Sequence, residues 1–347
     1  MNTITDDRIA AIRQARGDSL AILVHHYQRD EVVRHADILG DSLELSRRVP
    51  GLTAKDIVFC GVHFMAETAA MLAGPGQRVH LPTPDADCVM ADMAPGPLVE
   101  AVLDRLEAAG RAVLPLAYVN SSAAVKAACG RRGGAICTSA NAATMLKWAM
   151  DQGRGVLFLP DKMLGQNTSR RLGLAPDAMH ILNVRDGGNQ MDLEAVRRAE
   201  ILFWPGQCAI HSHFRPRHIE AVRRETPEAK VVVHPECSPE TVALADAAGS
   251  TSFIIKYVAE APPGSDIVIG TEIHLVERLA AQNVGLKTIR PLRVSACSNM
   301  AKGTAGTLLA ALENLETDVP VTVPDAVREP ATLAVQRMLD VTTRGAR

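Results

Sequence analysis

The 347-residue sequence contains no C-x-x-C pair, and its seven cysteines lie far apart, at positions 60, 88, 129, 137, 208, 237 and 297. An odd number of scattered thiols makes no disulfide framework and points to a reducing compartment. Without close pairs, a zinc ribbon, a thioredoxin motif and a ferredoxin-type run are all unsupported, so any metal site must be assembled from distant segments. Charge of one sign is lacking too: 37 basic residues face 39 acidic ones, for a net charge of −2 and no long basic run. A nucleic-acid footprint and a polybasic membrane patch are therefore not expected. No apolar run approaches the roughly 18 residues of a membrane span. Asp6, Asp7 and Arg8 stand where a secretory signal would carry its apolar core. The expectation is a cytoplasmic protein with neither nucleic-acid nor membrane partners.

What is present suits a globular α/β chain. With 47% hydrophobic and 22% charged residues there is ample apolar material to bury, and the length exceeds one simple core. Near-continuous apolar strands alternate with helical stretches, as in parallel sheets covered on both faces. The lead strands end near Val24, Val119 and Trp204, which suggests three rounds of one architecture. The reading is three small three-layer αβα sub-domains in pseudo-threefold arrangement: residues 1–104 with 290–347, then 105–190, then 191–289. Glu31–Ile38 reads as helical, as does Pro239–Ala248, and Ser252–Val258 reads as a strand. Pro115 marks its strand as edge-like or bent.

Reactive side chains recur just after strands: His25 and Tyr27, Tyr118 and Asn120, Ser139, Cys208 and His211, His234 and Glu236. Ligands of open α/β sheets bind beyond the carboxyl ends of the strands, so three sub-domains turning those ends inward would form one polar pocket. Ser42, Ser121, Ser139 and Ser238 stand where helices begin, which suits an anionic ligand, although each could simply cap its own helix. Glu236 has the placement of a general base. Cys88, Cys208 and Cys297 come from three separate loops. They could form a three-thiolate 4Fe–4S site, or each could be a buried thiol packing as a small hydrophobe. Cys60, Cys129 and Cys137 lie in or beside apolar runs and read as core; Cys237 beside Glu236 is ambiguous.

The loops together resemble the quinolinate synthase family. The likeness rests on His25-His26-Tyr27-Gln28, Gly40-Asp41-Ser42-Leu43, Phe64-Met65-Ala66-Glu67, Cys88 with Met90-Ala91-Asp92, and Tyr118-Val119-Asn120-Ser121. It continues through Thr138-Ser139-Ala140-Asn141, Pro160-Asp161-Lys162, Cys208-Ala209-Ile210-His211, His234-Pro235-Glu236-Cys237, Gly249-Ser250-Thr251, Gly270-Thr271-Glu272 and Cys297-x-x-Met300. The resemblance implies an enzyme of de novo NAD biosynthesis. Such an enzyme condenses iminoaspartate with dihydroxyacetone phosphate to quinolinate, and an aspartate oxidase supplies the imine. It implies a 4Fe–4S cluster on Cys88, Cys208 and Cys297, and substrate contacts from His25, Ser42, Tyr118, Asn120, Ser139, His234, Glu236 and Thr251. Tyr27 and Glu236 match residues of proton transfer, and His211 is expected in the same cavity.

Two departures stand out. Ser212 and His213 follow His211 where many members carry an acidic residue. Pro291 and Val294 stand where some members have further cysteines before the last ligand, so thiol–disulfide regulation is not expected there. Rival readings are another 4Fe–4S hydro-lyase, a cluster-bearing sensor, and a cluster-free α/β protein that binds small anions.

Overall fold

The computed structural model describes residues 3–344; positions 1–2 and 345–347 of the first expected sub-domain lie outside the described residues. Three all-parallel sheets carry the fold. The first contains β1 (Leu20–His25), β2 (Ile38–Gly40), β3 (Asp56–Cys60) and β4 (Arg78–His80), in the order β2-β1-β3-β4. The second contains β5 (Val113–Tyr118), β6 (Ala135–Cys137), β7 (Gly155–Leu159), β8 (Met179–Ile181) and β9 (Ile201–Phe203), in the order β6-β5-β7-β9-β8. The third contains β10 (Lys230–Val233), β11 (Ala247–Ala248), β12 (Asp266–Gly270) and β13 (Thr288–Pro291), in the order β11-β10-β12-β13. In each sheet the lead strand lies between the second and third, and helices cover both faces. The fold is α/β with three αβα sub-domains.

Several local readings are corrected. Ile201–Phe203 does not open a third sheet. It pairs with β7 on one side and β8 on the other, through Phe158↔Phe203 and Ile181↔Phe203. Residues 201–204 are fully buried, and periodicity cannot say which sheet such a run joins. Ser252–Val258 is not a strand but lies in the helix Thr251–Glu260. The Ser250 hydroxyl caps that helix by accepting from Phe253 N–H, and Ile254 and Val258 are buried at helical spacing. The helix Pro239–Leu244 stops early, so that Ala247–Ala248 can pair with β10 as β11. Helix over Glu31–Ile38 survives only as Asp30–Val33. Asp37 then accepts from Ile22 N–H at 2.8 Å and its own N–H donates to the Ile22 carbonyl, which draws the chain into β2. Pro115 lies in the middle of its sheet, in a strand flanked by β6 and β7. Pairing with β6 begins only at Leu116, which leaves one side of the proline without a partner strand.

The first two sheets share one continuous apolar core, from Ala21 through Phe203 to Met338. The third packs its two faces separately, around Ile267 and Ile269 on one side and Val231 and Val268 on the other. The C-terminal helix Asp325–Arg344 docks on the second sub-domain. Gly130 makes that approach possible, because a Cβ there would lie 1.8 Å from the Pro330 carbonyl oxygen.

Candidate active site

The thirteen side chains to which the family resemblance gives a role all line one cavity of about 950 Å³, counting its mouth, whereas Ser121 and Ser238 do not. The sheet order explains why. The lead strands β1, β5 and β10 deliver His25 and Tyr27, Tyr118 and Asn120, and His234 and Glu236. The second strands β2, β6 and β11 lead into Ser42, Ser139 and Thr251, one hydroxyl from each sheet. The strands in fourth place, β4, β9 and β13, lead into Cys88, Cys208 and Cys297, one thiol from each sheet. His211 joins from the turn after Cys208. Ligand sites of such sheets lie beside the first and third strands, and here three of these crevices open into one space.

The three thiols differ from the others. Cys88, Cys208 and Cys297 are half-buried, whereas Cys60, Cys129, Cys137 and Cys237 are buried. Cys88 immediately precedes the turn Val89–Asp92 and Cys208 the turn Ala209–Ser212, neither thiol capping its turn by a side-chain hydrogen bond. Burial pushes the Cys88 thiol up to about 12, opposed by the N–H groups of Ala91 and Met90. The N–H of His211 opposes the same effect at Cys208, and those of Met300 and Asn299 oppose it at Cys297. Cys297 adds to the rise at Cys88, and Cys88 adds to the rise at Cys208. Three half-buried sulfurs with N–H groups facing them suit a shared cationic centre, and this donor set fits a 4Fe–4S cluster.

A polar network crosses the cavity wall. Tyr118 Oη donates to Glu236 Oε1 at 2.5 Å, and His211 Nδ1 lies 2.7 Å from Glu236 Oε2. Burial alone would raise the Glu236 carboxyl, but His211, His234 and the hydrogen bonds outweigh it and hold the group at about 2. His211 stacks on His234 with ring centroids 4.4 Å apart. Burial, then the neighbouring His26, lowers His25 to about 3, while burial, then His211, does the same to His234. Both rings are therefore neutral near pH 7. In each, Nδ1 accepts the N–H two residues ahead, from Tyr27 at 3.2 Å and Glu236 at 3.4 Å. That leaves Nε2–H of both rings as a donor.

Some predicted residues have other duties, and some functional residues were missed. Ser121 is buried and donates to the Tyr118 carbonyl, while Ser122 caps the following helix. Ser238 caps Pro239–Leu244. The third strands supply residues that the quoted motifs contain but to which no role was given: Asp161 after β7, and Thr271 and Glu272 after β12. Asp161 caps the helix Lys162–Arg171, and its buried carboxyl is raised by desolvation and by Glu236. Glu272 accepts from the N–H of Cys297 and holds the last cysteine loop. Asp41 accepts from Ser252 Oγ at 2.5 Å and joins the first and third sub-domains. Lys126 is fully buried, donates to the Ser121 carbonyl, and lies 5.5 Å from the Phe64 ring centroid. A lysine inside a helix gives no sequence signal of that placement.

Fold and site define an α/β enzyme whose three parallel sheets turn their carboxyl ends on one thiol-bearing polar cavity. A family model described as quinolinate synthetase A protein matches residues 7–340, and the chain belongs to that family. It is 46% identical over 345 residues to the quinolinate synthase of Acidobacterium capsulatum, covering 97% of this chain and 92% of the relative. It is 47% identical to that of Herpetosiphon aurantiacus over 348 residues, with 97% and 92% covered. It is 43% identical to that of Halalkalibacterium halodurans over 342 residues, with 96% and 93% covered. Among the described residues no helix is long and apolar enough to cross a membrane.

Proposed function

We propose that this chain is a quinolinate synthase that condenses iminoaspartate with dihydroxyacetone phosphate, releasing phosphate and two waters, in the NAD biosynthesis of the cytoplasm. The observation that carries the reading is the set of three half-buried cysteines, one from the fourth strand of each sheet, opening on the same cavity. Cys88, Cys208 and Cys297 would hold the 4Fe–4S cluster. When bound, it supplies an iron without a protein thiolate as a Lewis acid for a substrate oxygen that leaves as water.

The chain's own residues supply binding and proton transfer. Among the described residues no lysine or arginine lines the cavity, so anionic groups rely on neutral donors and helix starts. His25 and His234 offer Nε2–H, and Ser42, Ser139 and Thr251 offer hydroxyls. The helices Ala123–Arg131, Ala142–Met150 and Thr251–Glu260 begin beside Asn120, Ser139 and Thr251. Their partial positive charge favours carboxylate and phosphate oxygens. Glu236, ionised and paired with His211, would accept the protons released on carbon–carbon bond formation and ring closure, with Tyr27 and Tyr118 as hydroxyl partners.

Anaerobic purification followed by iron and sulfide quantitation, then incubation with both substrates, tests the reading. Four irons and four sulfides per chain and a pyridine dicarboxylate product are expected. A dehydrated product without the pyridine ring would favour a 4Fe–4S hydro-lyase, and a protein without iron or sulfide would overturn the cluster assignment.

A further inference from the structure

Lys126 is a buried charge that the roles above leave unused. It belongs to the helix Ala123–Arg131, is fully buried, and donates from Nζ to the Ser121 carbonyl. Its Nζ lies over the ring of Phe64, a residue of the cavity wall, at 5.5 Å from the centroid. An ammonium has more N–H bonds than one carbonyl can take, so its burial carries a desolvation cost that this bond does not offset. Burial lowers the amine to about 8, opposed first by Glu67 of the helix His63–Leu72 and then by Cys129 and Cys88. Near pH 7 the amine is therefore charged.

The ammonium holds the turn between β5 and its own helix. Val119 N–H donates to the Cys137 carbonyl at 2.7 Å, Ser121 N–H to the Val119 carbonyl at 2.8 Å, and Ser121 Oγ to the Tyr118 carbonyl at 2.9 Å. Asn120 stands between Val119 and Ser121 and lines the cavity, yet no hydrogen bond to another described residue fixes it. Its aim is set by its two neighbours. The sheet holds Val119, and Lys126 holds the carbonyl of Ser121.

We propose that Lys126 is the positioning residue for Asn120: its ammonium pins the Ser121 carbonyl and so aims the Asn120 amide at an anionic group of the substrate. The proposal rests on the reaction proposed above. While the amine is charged, its hydrogen bond is of the stronger, charge-assisted kind. The same charge, behind the Phe64 ring, adds a favourable field for anionic reactants in a cavity lined by Asp41, Glu236 and Glu272.

Lys126→Met, Asn120→Ala and the double variant test this in the anaerobically purified holoenzyme, with rates expressed per cluster. Methionine keeps the apolar stem and drops both charge and donor. Lys126→Met is expected to raise KM for at least one substrate about tenfold, with kcat within about threefold of the wild type. In the Asn120→Ala background it should add nothing further. Wild-type kcat/KM should fall between pH 7 and 9 as an amine of about 8 loses its proton, and Lys126→Met should lack that fall. An unchanged KM in Lys126→Met overturns the proposal, as do KM rises that multiply in the double variant. If Lys126→Met does not fold, the wild-type profile decides, and a kcat/KM flat to pH 9 overturns the proposal. Quinolinate formation by the wild type tests the reaction itself, so the two readings fail separately.

Discussion

At the scale of single residues, the site works by restricting protonation states. Glu236 has both oxygens engaged, by Tyr118 and His211, and is held at about 2. Tyr27 is held neutral by burial, yet its hydroxyl touches Thr251 and Thr271. Replacing Tyr27 by Phe is expected to lower kcat by about 10²-fold while the brown iron–sulfur chromophore persists, as read by absorbance and steady-state rates. His25 and His234 add a pH dependence to stability. Each has a folded value of about 3 against 6.5 for the free side chain. Between those limits the unfolded chain binds protons that the folded chain does not. The stability present above pH 6.5 is therefore lost as pH falls towards 3, by about 1.4 kcal/mol per pH unit for each ring. Urea titrations at pH 7, 6 and 5 should show that slope, and it should flatten in His25→Gln.

At the scale of elements, strand position decides chemistry. First strands bring imidazole, phenol and carboxylate; second strands bring a hydroxyl; fourth strands bring a thiol. Helices then fix the loops. Asn167, on the helix Lys162–Arg171, donates to the carbonyls of Pro235 and Cys237 at 2.7 and 2.8 Å, gripping the chain on both sides of Glu236. Losing both bonds leaves buried carbonyls without that donor, so Asn167→Ala is expected to cost about 1–3 kcal/mol of stability. It should also lower kcat, with iron content unchanged. Thermal unfolding and cluster quantitation on the same sample check this.

At the scale of the molecule, the third sub-domain keeps its own apolar cores and meets the other two largely through the site. Tyr118 to Glu236, Tyr27 to Thr271, Ser252 to Asp41, and Asn167 to Pro235 and Cys237 all cross that boundary. A centre bound by one thiol from each sub-domain would tie the three together. Removing iron and sulfide with a chelator is therefore expected to lower Tm by roughly 5–10 °C, taking a linkage of a few kcal/mol at a few degrees each. Cys88→Ser should match the chelated protein, whereas Cys129→Ser, inside the core, should keep its iron.

Much of this was legible in the chain itself. Apolar runs closed by polar residues located most of the strands, and the motifs singled out thirteen side chains that line one cavity. The reason is local: which residues follow a strand is a matter of covalent order. Sheet membership was not legible. Ile201–Phe203 reads the same in any parallel sheet, and only pairing with β7 and β8 puts Cys208 in the place equivalent to Cys88 and Cys297. The partners of Thr271, though it lies in a quoted motif, and the placement of Asn167 and Lys126 were not legible for the same reason, since the partners of Thr271 and Asn167 lie 60 or more residues away and burial is settled by packing. Covalent order determined which groups stand at the strand ends. Only tertiary pairing decided that the ends converge, because hydrogen-bond partners and close packing are chosen among segments distant along the chain.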